Sequence, residues 1–172
     1  MGLFSGKSGR KADALHLKAN RLIDQKQFQQ ADQMHKQAME LYQKEIDEGV
    51  QIPRNMMAYG VLMLRQHQFE KARALMLKTE KVPGITREEK RQLRINFAIC
   101  EWKLGHLDQA IEQMRMASHD NLTSMIYGSL GYMLIEKARQ TGDFAEAVEF
   151  NRQALDYDED DPVVLDNMGQ LH

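Results

Sequence analysis

A short phrase recurs four times along this chain. Phe28-Gln29-Gln30-Ala31, Phe69-Glu70-Lys71-Ala72, Leu107-Asp108-Gln109-Ala110 and Phe144-Ala145-Glu146-Ala147 each set a large apolar residue three positions before an alanine. The alanines lie 41, 38 and 37 residues apart, and seven residues after them come Ala38, Thr79, Ala117 and Ala154. Seven residues are two helical turns, so both positions fall on one face. Ahead of each phrase a helical pattern carries a small residue on its apolar side: Ala19, Gly60, Ala98 and Gly131. Small residues at fixed places let paired helices approach until their larger side chains interdigitate. A fixed period of this size marks a repeat array, whose units bury their apolar faces by stacking on their neighbours.

These residues resemble the tetratricopeptide repeat. The nearest match is the third unit, where Asn96-Phe97-Ala98-Ile99-Cys100 is followed by Leu104-Gly105-His106-Leu107-Asp108-Gln109-Ala110-Ile111-Glu112, with Glu101 standing where the family has an aromatic residue. The fourth supplies Leu130-Gly131 and Gly142-Asp143-Phe144, and a fifth A helix begins at Pro162 with Leu165, Met168 and Gly169 in the family's large, large and small slots. The resemblance implies an all-α, right-handed superhelix of about four antiparallel helix pairs, A and B, plus a C-terminal helix. It covers residues 12–172, with repeats at about 12–50, 53–85, 86–120 and 122–158 and a last helix at 161–172, behind a flexible basic leader over 1–11.

Where the period exceeds the family's 34 residues, the excess has visible homes. The first B helix runs on as a charged extension from Leu41 toward Ile52 before Pro53 restarts helix, and Lys81-Val82-Pro83-Gly84-Ile85 reads as a loop. Thr86-Arg87-Glu88-Glu89 reads as a capping box opening the third A helix. The fourth A helix is longer by about one turn. No segment alternates with a two-residue period between turn signals, so strands are not expected.

Signals of chemistry are weak. Gly2-Leu3-Phe4-Ser5-Gly6-Lys7-Ser8 imitates a phosphate-binding loop but has three residues between its glycines where that loop needs four. The six histidines form no i,i+4 pair and no zinc-type cluster with Cys100, so no metal is expected. Cys100 on a helical face reads as packing rather than as a nucleophile. No cofactor and no catalytic constellation is expected, and the chain reads as a non-enzyme. The lone cysteine excludes an intramolecular disulfide, residues 1–11 lack a secretory apolar core, and no run of eighteen apolar residues occurs, which together predict a cytoplasmic protein with no membrane span. Six of the twelve methionines, Met34, Met39, Met63, Met76, Met114 and Met133, sit at core spacing.

In the tetratricopeptide-repeat family the A helices line the concave face and present side chains to an extended peptide. Carried over repeat by repeat, this implies a groove of His16, Asn20 and Ile23, then Met57, Val61 and Leu64, then Gln92, Ile95, Asn96, Ile99 and Trp102, then Tyr132 and Ile135. The family's clamp for acidic C termini matches only at Asn20 and Asn96. The mostly apolar lining suits a protein or peptide partner, a helix face or extended apolar segment, with Arg54, Arg65, Lys103 and Glu136 on the rim. Trp102 is the expected anchor, since aromatic residues dominate such contacts. The competing expectation is that some of these residues pack between helices.

The net charge of −2 conceals a division. Residues 1–94 hold 18 Lys+Arg against 11 Asp+Glu, and residues 95–172 hold 5 against 14. Such polarity steers an oppositely patterned partner or promotes head-to-tail self-contact. A nucleic-acid role for the basic half is the alternative function, without a recognisable reading motif; a peptide-sensing regulatory module is another. The last A helix, lacking a B partner within the sequence, is expected to cap the fourth repeat or to be followed by more chain, and its apolar residues predict self-association through that end.

Overall fold

The computed structural model describes residues 7–119 and 121–171, which hold nine α-helices and no strand. The chain divides into two compact units, Met1–Leu93 and Arg94–His172. That boundary lies one residue from the change in charge: the first unit holds 17 Lys+Arg against 11 Asp+Glu, the second 6 against 14.

The first unit contains α1 (Lys7–Asp24), α2 (Phe28–Asp47), α3 (Pro53–Arg65), α4 (Phe69–Glu80) and the opening turn of α5 (Arg87–Lys103). α1 pairs with α2 and α3 with α4, and α2 packs on α3. The small residues that the repeat sets on these helices are why the pairs close: Ala19, Ala31, Ala38 and Ala72 are all buried to 2% exposure or less. Thr79, the exception among the second small residues, is fully buried because its hydroxyl donates back to the Leu75 carbonyl at 2.8 Å.

The second unit contains the rest of α5, then α6 (Leu107–Ser118), α7 (Ser124–Thr141), α8 (Ala145–Tyr157) and α9 (Pro162–Gln170). Its core gathers Ile95 and Ala98 of α5, Ala110, Ile111 and Met114 of α6, and Ile126, Leu130, Met133 and Ile135 of α7. α9 packs on both α7 and α8 through Val164 and Asn167, so it caps the fourth pair. The fourth A helix has 18 residues, as α1 does, against 17 in α5 and 13 in α3.

Each A-to-B turn is built alike. Lys26, His67, Gly105 and Gly142 all adopt positive φ, two residues before the large apolar residue that opens the phrase. In the first three, the positive-φ residue donates its N–H three residues back and the next residue donates five back, as in Gly105 to Trp102 and His106 to Glu101 at 3.0 and 2.9 Å. This is the Schellman closure, which favours glycine because a Cβ crowds the left-handed conformation. Lys26 and His67 carry that strain, so His67→Gly is expected to stabilise its unit by about 1 kcal/mol in denaturant titration. The capping box also forms: the Thr86 N–H donates to Glu89 Oε2 at 2.8 Å and the Glu89 N–H to Thr86 Oγ1 at 3.1 Å.

One sequence expectation changes, and one departure from the family finds its reason. α1 starts at Lys7, so residues 7–11 belong to a helix, and Gly9 and Ala12 are buried; residues 1–6 of the expected leader lie outside the described residues. The departure is Glu101, which His106 of the third A-to-B turn holds. The Glu101 carboxylate is fully buried with Oε2 at 2.5 Å from His106 Nδ1, so a charged residue replaces the family's aromatic because a histidine five residues on partners it.

Candidate functional site

Each unit carries a groove on its A helices. In the first, Asp13, His16, Leu17 and Asn20 of α1, Tyr42 of α2, and Arg54 and Ala58 of α3 surround about 270 Å³. Asp13 is its hub: it accepts from the Tyr42 hydroxyl and from Arg54 Nη2, both at 2.7 Å. Burial, reinforced by the bond to Asp13, pushes the Tyr42 hydroxyl far above its usual range, so it stays a donor. Arg65 Nη1 donates to Asn20 Oδ1 at 3.3 Å. The polar groups are thus largely satisfied by one another, and the exposed apolar element is Leu17, at 61%.

Beneath this groove His16 meets His35 edge-on, ring centres 5.5 Å apart, with Tyr42 at 6.5 Å. Burial lowers the pKa of both histidines, and the nearby Arg65 lowers each further. His35 is 5% exposed and its Nε2 has no hydrogen-bond partner. A folded-state pKa below the ordinary 6.5 means that the unfolded chain takes up protons first. This contribution is therefore complete above the unfolded value and is lost as pH falls through it toward the folded values. The melting temperature of the first unit is expected to drop on acidification below about 6.5, and His35→Leu should flatten that dependence.

In the second unit Trp102, Gly105 and Leu107 with Glu136, Arg139 and Gln140 surround about 400 Å³. Trp102 is half-buried and held from several sides. Its indole N–H donates to Glu136 Oε2, its ring meets Tyr132 edge-on at 5.4 Å, and Lys103 Nζ stands 3.7 Å from the ring centre. The cation on the ring and the carboxylate on the indole N–H are each favourable for the ring's charge distribution and fix its orientation.

The expected groove residues divide. His16 and Asn20 line the first groove, and Trp102 and Tyr132 meet at the second. Ile23 packs on the α1–α2 core, while Val61 and Leu64 are half-buried. Ile99 is half-buried against the core of the second unit. Ile95 and Ile135 are corrections: both are fully buried in that core, beneath residues of α6 and α7, and line no surface. Met57 and Asn96, each 7% exposed, are likewise interior. The stripe through 95, 99 and 102 starts in the core and emerges only at Trp102, a change of depth that periodicity does not record. Sequence reasoning missed Asp13, although its spacing of three and seven from His16 and Asn20 marks the same face. It also missed Tyr42, which reaches the groove from a B helix and leaves no local signal. Cys100 is a buried thiol on α5. Among the described residues no group of three His, Cys, Asp or Glu could hold a metal ion, and no helix is long and apolar enough to cross a membrane.

No protein-family model matches the chain, and no curated protein matches it. Solved structures do. YrrB, described as a TPR protein with an unusual peptide-binding site, matches over 95% of this chain and 76% of its own at a TM-score of 0.59 and 16% identity. MamA (AMB-1) matches over 90% and 95%, at 0.56 and 15%. PilF of Pseudomonas aeruginosa matches over 95% and 91%, at 0.52 and 15%. With four A–B pairs closed by equivalent turns and a ninth helix capping the last, the chain has the tetratricopeptide-repeat solenoid fold.

Proposed function

We propose that the chain is a non-enzymatic interaction scaffold that holds a peptide or helix of a partner protein on its A-helix faces, with the Trp102 groove as the main anchor. The observation that carries this is a half-exposed tryptophan fixed by Tyr132, Glu136 and Lys103 beside an open groove. A pre-oriented aromatic surface loses little conformational freedom on binding, which is where such anchors gain their affinity. Lys103 and Arg139 beside Glu136 offer both signs of charge at the rim, which suits an apolar segment with polar flanks. Peptide binding in YrrB supports the reading by analogy of fold. The setting it assumes is the reducing cytoplasm, where a lone buried thiol persists.

Trp102 is the only tryptophan, so its emission reports on the groove directly. Peptides selected from a displayed library against the folded chain are expected to shift that emission saturably. Tyr132→Ala and Glu136→Ala should each weaken them at least tenfold, while Phe28→Ala, on an exposed ring far along the sequence, should leave them unchanged. Selected peptides that bind without perturbing Trp102, or retention on random DNA that falls with salt and outcompetes every peptide, would replace this reading.

A further inference from the structure

Among the described residues, α1 and α9 each leave one face uncovered, and the two faces complement each other in charge. On α1 the exposed residues Lys7, Arg10, Lys11, Ala14, Leu17, Lys18 and Arg21 recur at three- and four-residue intervals, forming one stripe about 21 Å long. Five cations flank a small apolar centre, and none of the five forms an ion pair among the described residues. Toward the other end of the sequence, Pro162, Leu165 and Gly169 of α9 are exposed on one face, Leu165 at 50%. A Cβ built on Gly169 meets nothing within 4 Å, so this side of α9 is open. The apolar patch is bordered by Asp156, Asp158, Glu159, Asp160, Asp161 and Asp166, none of them ion-paired among the described residues; Asp161 caps α9 and Asp166 accepts from Gln170.

We propose that the basic stripe of α1 in one copy docks on the acidic, apolar-centred face of α9 in a second copy. Leu17 and Ala14 would cover Leu165 and Pro162, while lysines and arginines neutralise carboxylates that have no cation of their own. Opposite charge at the rim sets register and speeds encounter, and the apolar centre supplies the burial. Because the two surfaces differ, the contact is heterologous, which permits assemblies larger than a dimer unless it closes into a ring.

The test is light scattering of the full chain across a concentration series. At 50 mM salt the mean mass should rise with concentration above the monomer, and at 0.5 M salt the association should weaken at least tenfold, because exposed charges are then screened. Lys11→Glu/Lys18→Glu and Asp160→Lys/Asp166→Lys should each be monomeric alone. Mixed in equal amounts they should associate again, since the unaltered α1 of the second variant then meets the unaltered α9 of the first. That recovery also shows that both variants remain folded. A wild-type chain that stays monomeric at high concentration and low salt overturns the proposal, as does association that neither variant disturbs. A monomer retained on phosphatidylglycerol vesicles through Lys11 and Lys18 overturns it in favour of a lipid surface.

Discussion

Gly131→Ala is expected to lower the melting temperature of the 94–172 unit by more than about 10 °C, corresponding to roughly 3 kcal/mol. A Cβ there would run into the Asn151 side-chain oxygen and stand 3.0 Å from both Asn151 Cγ and Asn167 Nδ2. Neither asparagine can step aside without cost. The Asn151 amide donates to the carbonyls of Gly131 at 3.2 Å and Ala147 at 2.8 Å, and Asn167 donates to the Gly128 carbonyl at 2.9 Å, with both side chains buried. One methyl group therefore strands buried amide donors as well as overfilling the contact. Thermal denaturation followed by circular dichroism measures it, and a shift under about 3 °C would show that the α7–α8–α9 contact relaxes freely.

Gly9→Ala should damage the first unit comparably, by about 3 kcal/mol, because the atoms in the way belong to a buried charge. Glu45 is 2% exposed and accepts from Asn55 Nδ2 at 2.6 Å, and a Cβ on Gly9 would stand 2.5 Å from that nitrogen and 2.6 Å from the Glu45 carboxyl carbon. Displacing the carboxylate separates it from its donor in a dry site. Gly60→Ala is the internal comparison. Its Cβ meets only Met76, Cε at 3.2 Å and Cγ at an ordinary 3.7 Å, so the flexible end of the methionine has to give by only a few tenths of an ångström. There the higher helix propensity of alanine should leave stability unchanged or raise it by up to about 1 kcal/mol. If all three substitutions cost the same in urea titrations, close approach is not what these glycines provide.

Gly131 and Gly60 were both legible as small residues on A helices, since the repeat aligns them, yet only the structure separates their roles. The difference lies in the neighbour, a hydrogen-bonded asparagine in one case and a mobile thioether in the other, and neighbours across a helix pair leave no periodic trace. Gly9 was hidden for another reason. Next to Gly2, Gly6 and several lysines it reads as leader, although Gly9, Ala12 and Ala19 continue one small-residue face of α1. The fold was legible because four alanines recur in register. The groove was less so: spacing marks a helix face but not its depth, and it placed Ile95 and Trp102 on one stripe although the first is core and the second surface. Residues from the B-helix side, such as Tyr42, and the Glu101–His106 partnership come from turn and pair geometry that one-dimensional patterns do not carry.

The paired asparagines also act as a ruler. Their amides bind main-chain oxygens at 128 and 131, about one helical turn apart, so α8 and α9 are located by the backbone of α7 rather than by the shapes of its side chains. A slide of either helix by a fraction of a turn leaves its amide facing no acceptor, whereas methionines and leucines tolerate the same slide by changing rotamer. Position along α7 is thereby set in steps of the backbone, and the apolar residues around the asparagines can change rotamer while α8 and α9 keep their places.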